Sequence, residues 1–217
     1  MLRGIALERI QAEVMLLLQA KLPDELVRIS QAYSGYDQRI AAQLSDAELG
    51  PMNLEPPVSY FPGHKASAIG LPKEQYPIVY GMAYRSVRDA LRDADQYDAR
   101  LSYMYVEGIV KAETQGVVNR AVQRYAEAVH NVVSDSGNVN GIVHEVPVPE
   151  ITIYDEQDRP SGGATSDGFV DGSGDVWWWQ GFRLEWAFPT MHTFGGRQTK
   201  PLPADGLEDA ALPAGTF

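Results

Sequence analysis

The chain has no cysteine in its 217 residues, which removes disulfide staples, thiolate zinc sites and cysteine nucleophiles together. It also leaves the redox compartment unread. Histidine is scarce: His64, His130, His144 and His192 stand far apart, none in an HExxH or beside a carboxylate at ligand spacing. No G-x-S-x-G, P-loop or G-x-G-x-x-G occurs, so the commonest nucleophile and phosphate-binding signatures are missing. Long apolar runs are missing too. The run Val14 to Leu18 follows Glu8, Arg9, Gln11 and Glu13, and nothing approaches the roughly 20 apolar residues of a membrane span. The expectation is a soluble chain, with no membrane contact, that opens on an amphipathic helix and not on a leader.

Positive charge is in deficit, with 18 Lys and Arg against 29 Asp and Glu and a net charge of −11. The average field therefore repels phosphate backbones, and a nucleic-acid reader would need a basic patch to overcome it. The imbalance is uneven. Residues 145–217 hold twelve acidic and four basic side chains, whereas residues 51–144 hold ten and nine. What remains is an ordinary globular mixture, 44% hydrophobic and 22% charged, long enough for one domain with extensions.

Ile5, Leu7, Ile10, Val14, Leu17 and Leu18 recur at helical spacing, and Leu22-Pro23-Asp24 predicts the end of that helix and the start of another. Leu26, Ile29, Ile40 and Leu44 continue a helical pattern that Ser34-Gly35 interrupts and Gly50-Pro51 stops. Helices are thus expected over 1–50. Six prolines between Pro51 and Pro77 predict an extended connector over 51–75. YPIVYGMAY (76–84) and YDARLSYMYVEGIV (97–110) alternate as strands, the second with Asp98, Arg100 and Ser102 on a wet face. After Thr114, an N-cap residue, Val118, Val122, Tyr125, Val129 and Val132 form one stripe, and SDSGNVNG closes that helix.

Residues 142–154 predict a third strand, which Pro147 and Pro149 confine to an edge or a bulge. The polar, glycine-rich stretch 155–175 reads as a mobile loop, and its Asp167, Asp171, Ser173 and Asp175 lack the offsets of a calcium loop. In the last strand, 176–188, Trp178, Phe182, Leu184, Trp186 and Phe188 share one face, and Trp177, Trp179, Arg183 and Glu185 the other. Residues 189–217 read as an extended tail. The predicted fold is α+β: one domain over 1–188, with a four-stranded, mainly antiparallel sheet and one long helix across it in the order β-β-α-β-β.

Two features point outward. Alternation cannot bury Trp177, Trp178 and Trp179 in one core, so Trp177 and Trp179 need a second cover, either another element of the chain or a subunit interface. Arg85, Arg88 and Arg92, with Asp89, Asp93 and Asp95 among them, read as a mixed-charge loop between strands, either satisfied within the chain or reaching a neighbouring subunit.

The segments YFPGHKASAIGLPKEQYPIVYGMAY and YDARLSYMYVEGIV, the helix AETQGVVNRAVQRYAEAVHNVV and the closing strand, in this order, resemble the tail-terminator (tail-completion) proteins of long-tailed bacteriophages. The resemblance covers roughly residues 5–188 and departs from a compact member at 155–175 and beyond Pro189. It implies a structural virion protein and no enzyme. Such a protein forms a homo-oligomeric, hexameric ring at the head-proximal end of the tail tube and meets the tail-tube protein and the head-completion or connector protein. DNA passes through the ring without sequence-specific binding. The implied location is the tail-neck region of the virion, with the host cytoplasm during assembly. No catalytic residue, cofactor or metal site is expected; the interface candidates are Arg85, Arg88, Arg92, Trp177 and Trp179. The alternatives are another neck or tail-tube component, such as a head-closure subunit, or a small-molecule enzyme whose site is assembled from loops.

Overall fold

A computed structural model describes residues 7–62, 76–89, 97–154, 169–170 and 176–193. The first element is a single helix, α1 (Leu7–Leu44), which runs through Pro23 without ending. Proline inside a helix costs about 3 kcal/mol, so the expected break at Leu22-Pro23-Asp24 must be outweighed. Burial does this: Leu17, Leu18 and Leu22 before the proline and Leu26 and Ile29 after it all enter the same core, each worth about 1.5–3 kcal/mol. The 38 residues make a helix of about 57 Å.

The segment after α1 is pinned to the helices. Ser30 Oγ donates to the Leu26 carbonyl at 2.8 Å and accepts the Leu54 N–H at 3.1 Å. Arg120 donates to the carbonyls of Leu49 and Gly50 at 3.0 and 3.1 Å. The connector then enters the sheet, which the prolines did not predict. Strand β1 (Ser59–Pro62) pairs in parallel with β2 (Ile78–Arg88), and Val58 N–H donates to the Pro77 carbonyl at 2.8 Å.

The remaining elements are β3 (Tyr97–Ala112), α2 (Gln115–Ser134), β4 (Glu150–Tyr154), β5 (Phe169–Val170) and β6 (Val176–Thr193). The predicted α+β class stands, but the sheet is five-stranded and mixed, in spatial order β1-β2-β3-β6-β4, with β5 pairing the start of β6. The predicted four strands in the order β-β-α-β-β are corrected accordingly. The last strand in the chain sits between β3 and β4, making 16 residue pairs with β3, from Tyr97↔Thr193 to Ala112↔Trp178.

Three boundaries change for physical reasons. The third strand shrinks to Glu150–Tyr154, because Pro147 and Pro149 cannot donate to a ladder, and it takes the edge position as predicted. Strand β6 continues past Phe188 to Thr193, so residues 189–193 belong to the sheet and not to a tail; Pro189 fits where it faces Leu101. Thr190 is buried and its hydroxyl lies 3.2 Å from that of Ser102. That contact corrects the predicted wet face of β3 at Ser102, which is buried on the side of Met104, Val106 and Val110, where the helices cover the sheet. Residues 155–168, 171–175 and 194–217 lie outside the described ones.

Helix α2 forms as its sequence predicts. Thr114 Oγ1 accepts the Val117 N–H at 3.2 Å, and Val118, Val122, Tyr125, Val129 and Val132 are all buried. The two helices share one face of the sheet and are clamped to each other. Arg124 donates twice to Asp37, at 2.9 and 2.6 Å, and its guanidinium stacks 4.4 Å from the Tyr33 ring. Tyr33 in turn donates to Glu127 at 2.9 Å. Two glycines let large rings lie flat on the sheet. A Cβ at Gly108 would strike the Phe182 ring on the helix side, and one at Gly181 would strike the Tyr154 ring on the other side.

Candidate assembly surface

The sheet's second face carries a chemistry of its own. Alternation places Ile78, Tyr80 and Met82 of β2, Tyr103, Tyr105, Glu107 and Ile109 of β3, Tyr154 of β4, and Trp179, Arg183 and Glu185 of β6 on this side. Tyr76, Ile78, Tyr80, Tyr105, Ile109, Tyr154 and Trp179 form a buried cluster separate from the helix-side core. At its centre lies Glu107, only 3% exposed. Arg183 Nε donates to one of its oxygens at 2.6 Å and Tyr80 donates to the other, so a buried carboxylate is both neutralised and hydrogen-bonded. The same guanidinium lies 4.5 Å from the Tyr105 ring centroid.

One end of this face opens to solvent. The β2–β3 register slips between Ala83 and Arg85, leaving Tyr84 as the extra residue of a bulge. The Ala83 N–H donates to Gln11 of α1 at 3.0 Å. A bulge turns two successive side chains toward one side, and both Tyr84 and Arg85 reach Tyr103. The Tyr84 and Tyr103 centroids are 6.3 Å apart, and the Arg85 guanidinium lies 5.3 Å from the Tyr103 ring. Tyr84 is 41% exposed and donates to Glu185. Partial burial and that hydrogen bond push its hydroxyl pKa up to about 12, so Tyr84 is a neutral donor throughout the physiological range. Tyr105 is shifted upward as well, by burial first and then by the charge of Glu107.

The predicted site residues do not converge. Arg85 and Arg88 lie in strand β2 and not in a loop; the ladder runs on to Arg88↔Arg100. Alternation after the bulge sends them to opposite faces. Arg92 lies outside the described residues. Trp179 is 5% exposed within the second cluster, so it is a core residue of this face, and its indole N–H finds no acceptor among the described residues. Trp177 pairs through its backbone with Phe169, and its ring lies outside what the structure describes. Trp179 faces Lys111 and Arg85 faces Tyr103, eight residues apart on β3, or about 27 Å. They cannot serve one small contact.

The surface that does assemble is Tyr84, Arg85, Tyr103, Arg183 and Glu185, of which only Arg85 was singled out from the sequence. The signal was present in the alternation of Tyr103 with Tyr105 and of Arg183 with Glu185. The bulge that brings Tyr84 and Arg85 to one side has no such signature.

Elsewhere, a cleft of about 510 Å³ lies between the connector and α2, with Met52, Leu54, Val58, Tyr76, Lys111 and Tyr125 in its walls. Among the described residues no group of three or more His, Asp or Glu side chains is placed to hold a metal ion. No helix among them is long and apolar enough to cross a membrane. No family model matches the chain, and no curated protein matches it either.

Proposed function

We propose that this chain is a structural assembly subunit, a ring-forming tail-terminator-like protein that closes the head-proximal end of a phage tail tube. The observation that carries the reading is the surface made by exposed Tyr84 and Arg85 on half-buried Tyr103, beside Arg183 and Glu185. Tyrosine and arginine are, with tryptophan, the residues enriched at binding hot spots, because they supply contact area and directed hydrogen bonds together. Here they stand on three neighbouring strands, where the backbone is fixed and little ordering remains to be done on contact. Paired charges of both signs suit a repeated contact between identical subunits, in which a patch must meet a complementary patch on the next copy.

Light scattering after size-exclusion chromatography, with negative-stain microscopy, tests this directly. The wild-type protein is expected to form closed rings, alone or on purified tail tubes. Tyr84→Ala combined with Arg85→Glu should abolish them while leaving the thermal midpoint within a few degrees. A double variant that still forms rings would remove this surface from the contact, and a wild-type protein that neither forms rings nor binds tubes would overturn the reading.

A further inference from the structure

Among the described residues, strand β4 is open on three sides. Glu150, Ile151, Thr152 and Ile153 are all exposed in succession, which in a strand means both faces, and among the described residues β4 pairs only with β6. Ile151 is 49% and Ile153 37% exposed, and Val148 just before them is 86% exposed. Edge strands are ordinarily protected by lysine, proline or a bulge within the strand. Here Pro149 stops the strand at its start, and the Ile-Thr-Ile interior carries none of these devices.

The sequence of β4 is compatible with itself. In an antiparallel pairing centred on Thr152, Ile151 meets Ile153 of the partner subunit and Glu150 meets Tyr154 of the partner subunit. No like charges are opposed, and the two Glu150 carboxylates stand about 13 Å apart along the ladder, beyond the screening length of about 8 Å at physiological salt. Centring on Ile151 instead would bring Pro149 into the ladder, where it has no N–H to give. We infer that β4 pairs antiparallel with β4 of a second copy about a two-fold axis at Thr152, extending the sheet across two subunits. Five residues a side bury far less than the roughly 1,200 Å² of a stable interface, so this contact is weak and concentration-dependent. It is independent of the ring contact and would join two subunits, or two rings, edge to edge.

The absence of cysteine allows a direct test with the full chain. Opposed residues of an antiparallel pair have Cα atoms about 4.5–5.5 Å apart, within disulfide range. Thr152→Cys should therefore form a disulfide-linked dimer under mild oxidation, and Glu150→Cys should not. Sedimentation across a hundredfold concentration range should show a doubling of mass, and Ile151→Lys with Ile153→Lys should weaken it at least about tenfold at an unchanged thermal midpoint. Failure of Thr152→Cys to cross-link, equal cross-linking at both positions, or a mass independent of concentration would overturn the pairing. The Tyr84→Ala, Arg85→Glu variant separates the two proposals, since it should lose rings and keep the Thr152→Cys cross-link.

Discussion

On the helix side of the sheet, Met104, Val106, Leu184, Trp186 and Phe188 meet Leu18, Leu22, Val122 and Val129 in one apolar core. On the opposite side, Tyr80, Tyr105, Glu107, Arg183 and Trp179 combine rings with a buried ion pair, and the face grades into exposed Tyr84 and Arg85. The same strands thus serve two purposes at a period of two residues. The helix side holds the fold by area removed from water. The far side has polar groups whose partners are local, so its exposed end can change without disturbing the core.

The largest effect should follow from the first side. Trp186, 1% exposed and stacked on Phe188 at 6.0 Å, should cost about 3–5 kcal/mol when replaced by alanine, read from urea unfolding. Close behind comes the clamp between the helices. Asp37→Ala strands the buried Arg124 and should cost about 3 kcal/mol, whereas Asp37→Leu with Arg124→Met should recover most of it. If the double variant is no more stable than the single one, the pair is more than a satisfied burial of charge.

On the second face, Glu107→Ala removes the carboxylate to which Tyr80 and Arg183 both donate and should cost about 1–3 kcal/mol. The loss should be smaller than at Asp37 because the Arg183 side chain is 44% exposed and regains water. Equal losses at Glu107 and Asp37 would erase the distinction between the two sides. The smallest effect is a pH dependence. Hydrogen bonding to Arg28, and then to Asn131 of α2, holds the Glu25 carboxyl below its ordinary value of 4.5 against the opposing pull of burial. A lowered folded pKa means its contribution is present above that ordinary value and fades as pH falls through the folded pKa. Glu25→Gln should flatten that part of the acid-denaturation curve.

Much of the helix-side core was legible because periodicity reports burial wherever a face is uniformly apolar. The stripe of α2, its Thr114 cap and the placing of Trp178 and Trp179 on opposite faces of β6 all follow from spacing alone. Pro23 misled because local propensity reports nothing of the five leucines and isoleucines around it that the core holds in place. Ser102 misled because its partner, Thr190, lies 88 residues away, and a polar pair that satisfies itself looks solvent-facing in sequence. The Tyr84–Arg85 surface was hidden by a bulge, which shifts the alternation by one residue and leaves no compositional trace.

The place of β6 in the sheet bears on how the chain can be synthesised. Its ladder partner β3 ends at Ala112, yet the strand that covers β3 begins at Val176 and is complete only at Thr193. During translation α1, β2, β3 and α2 emerge first, and the full 16-residue edge of β3 waits unpaired with its apolar side chains. Such long-range pairing closes slowly and leaves a sticky intermediate. Pulse-labelled hydrogen exchange on the refolding chain should therefore find the β6 amides, and those β3 amides that face β6 and not β2, protected together and last. A nascent chain stalled before residue 193 should aggregate on release where the full chain does not.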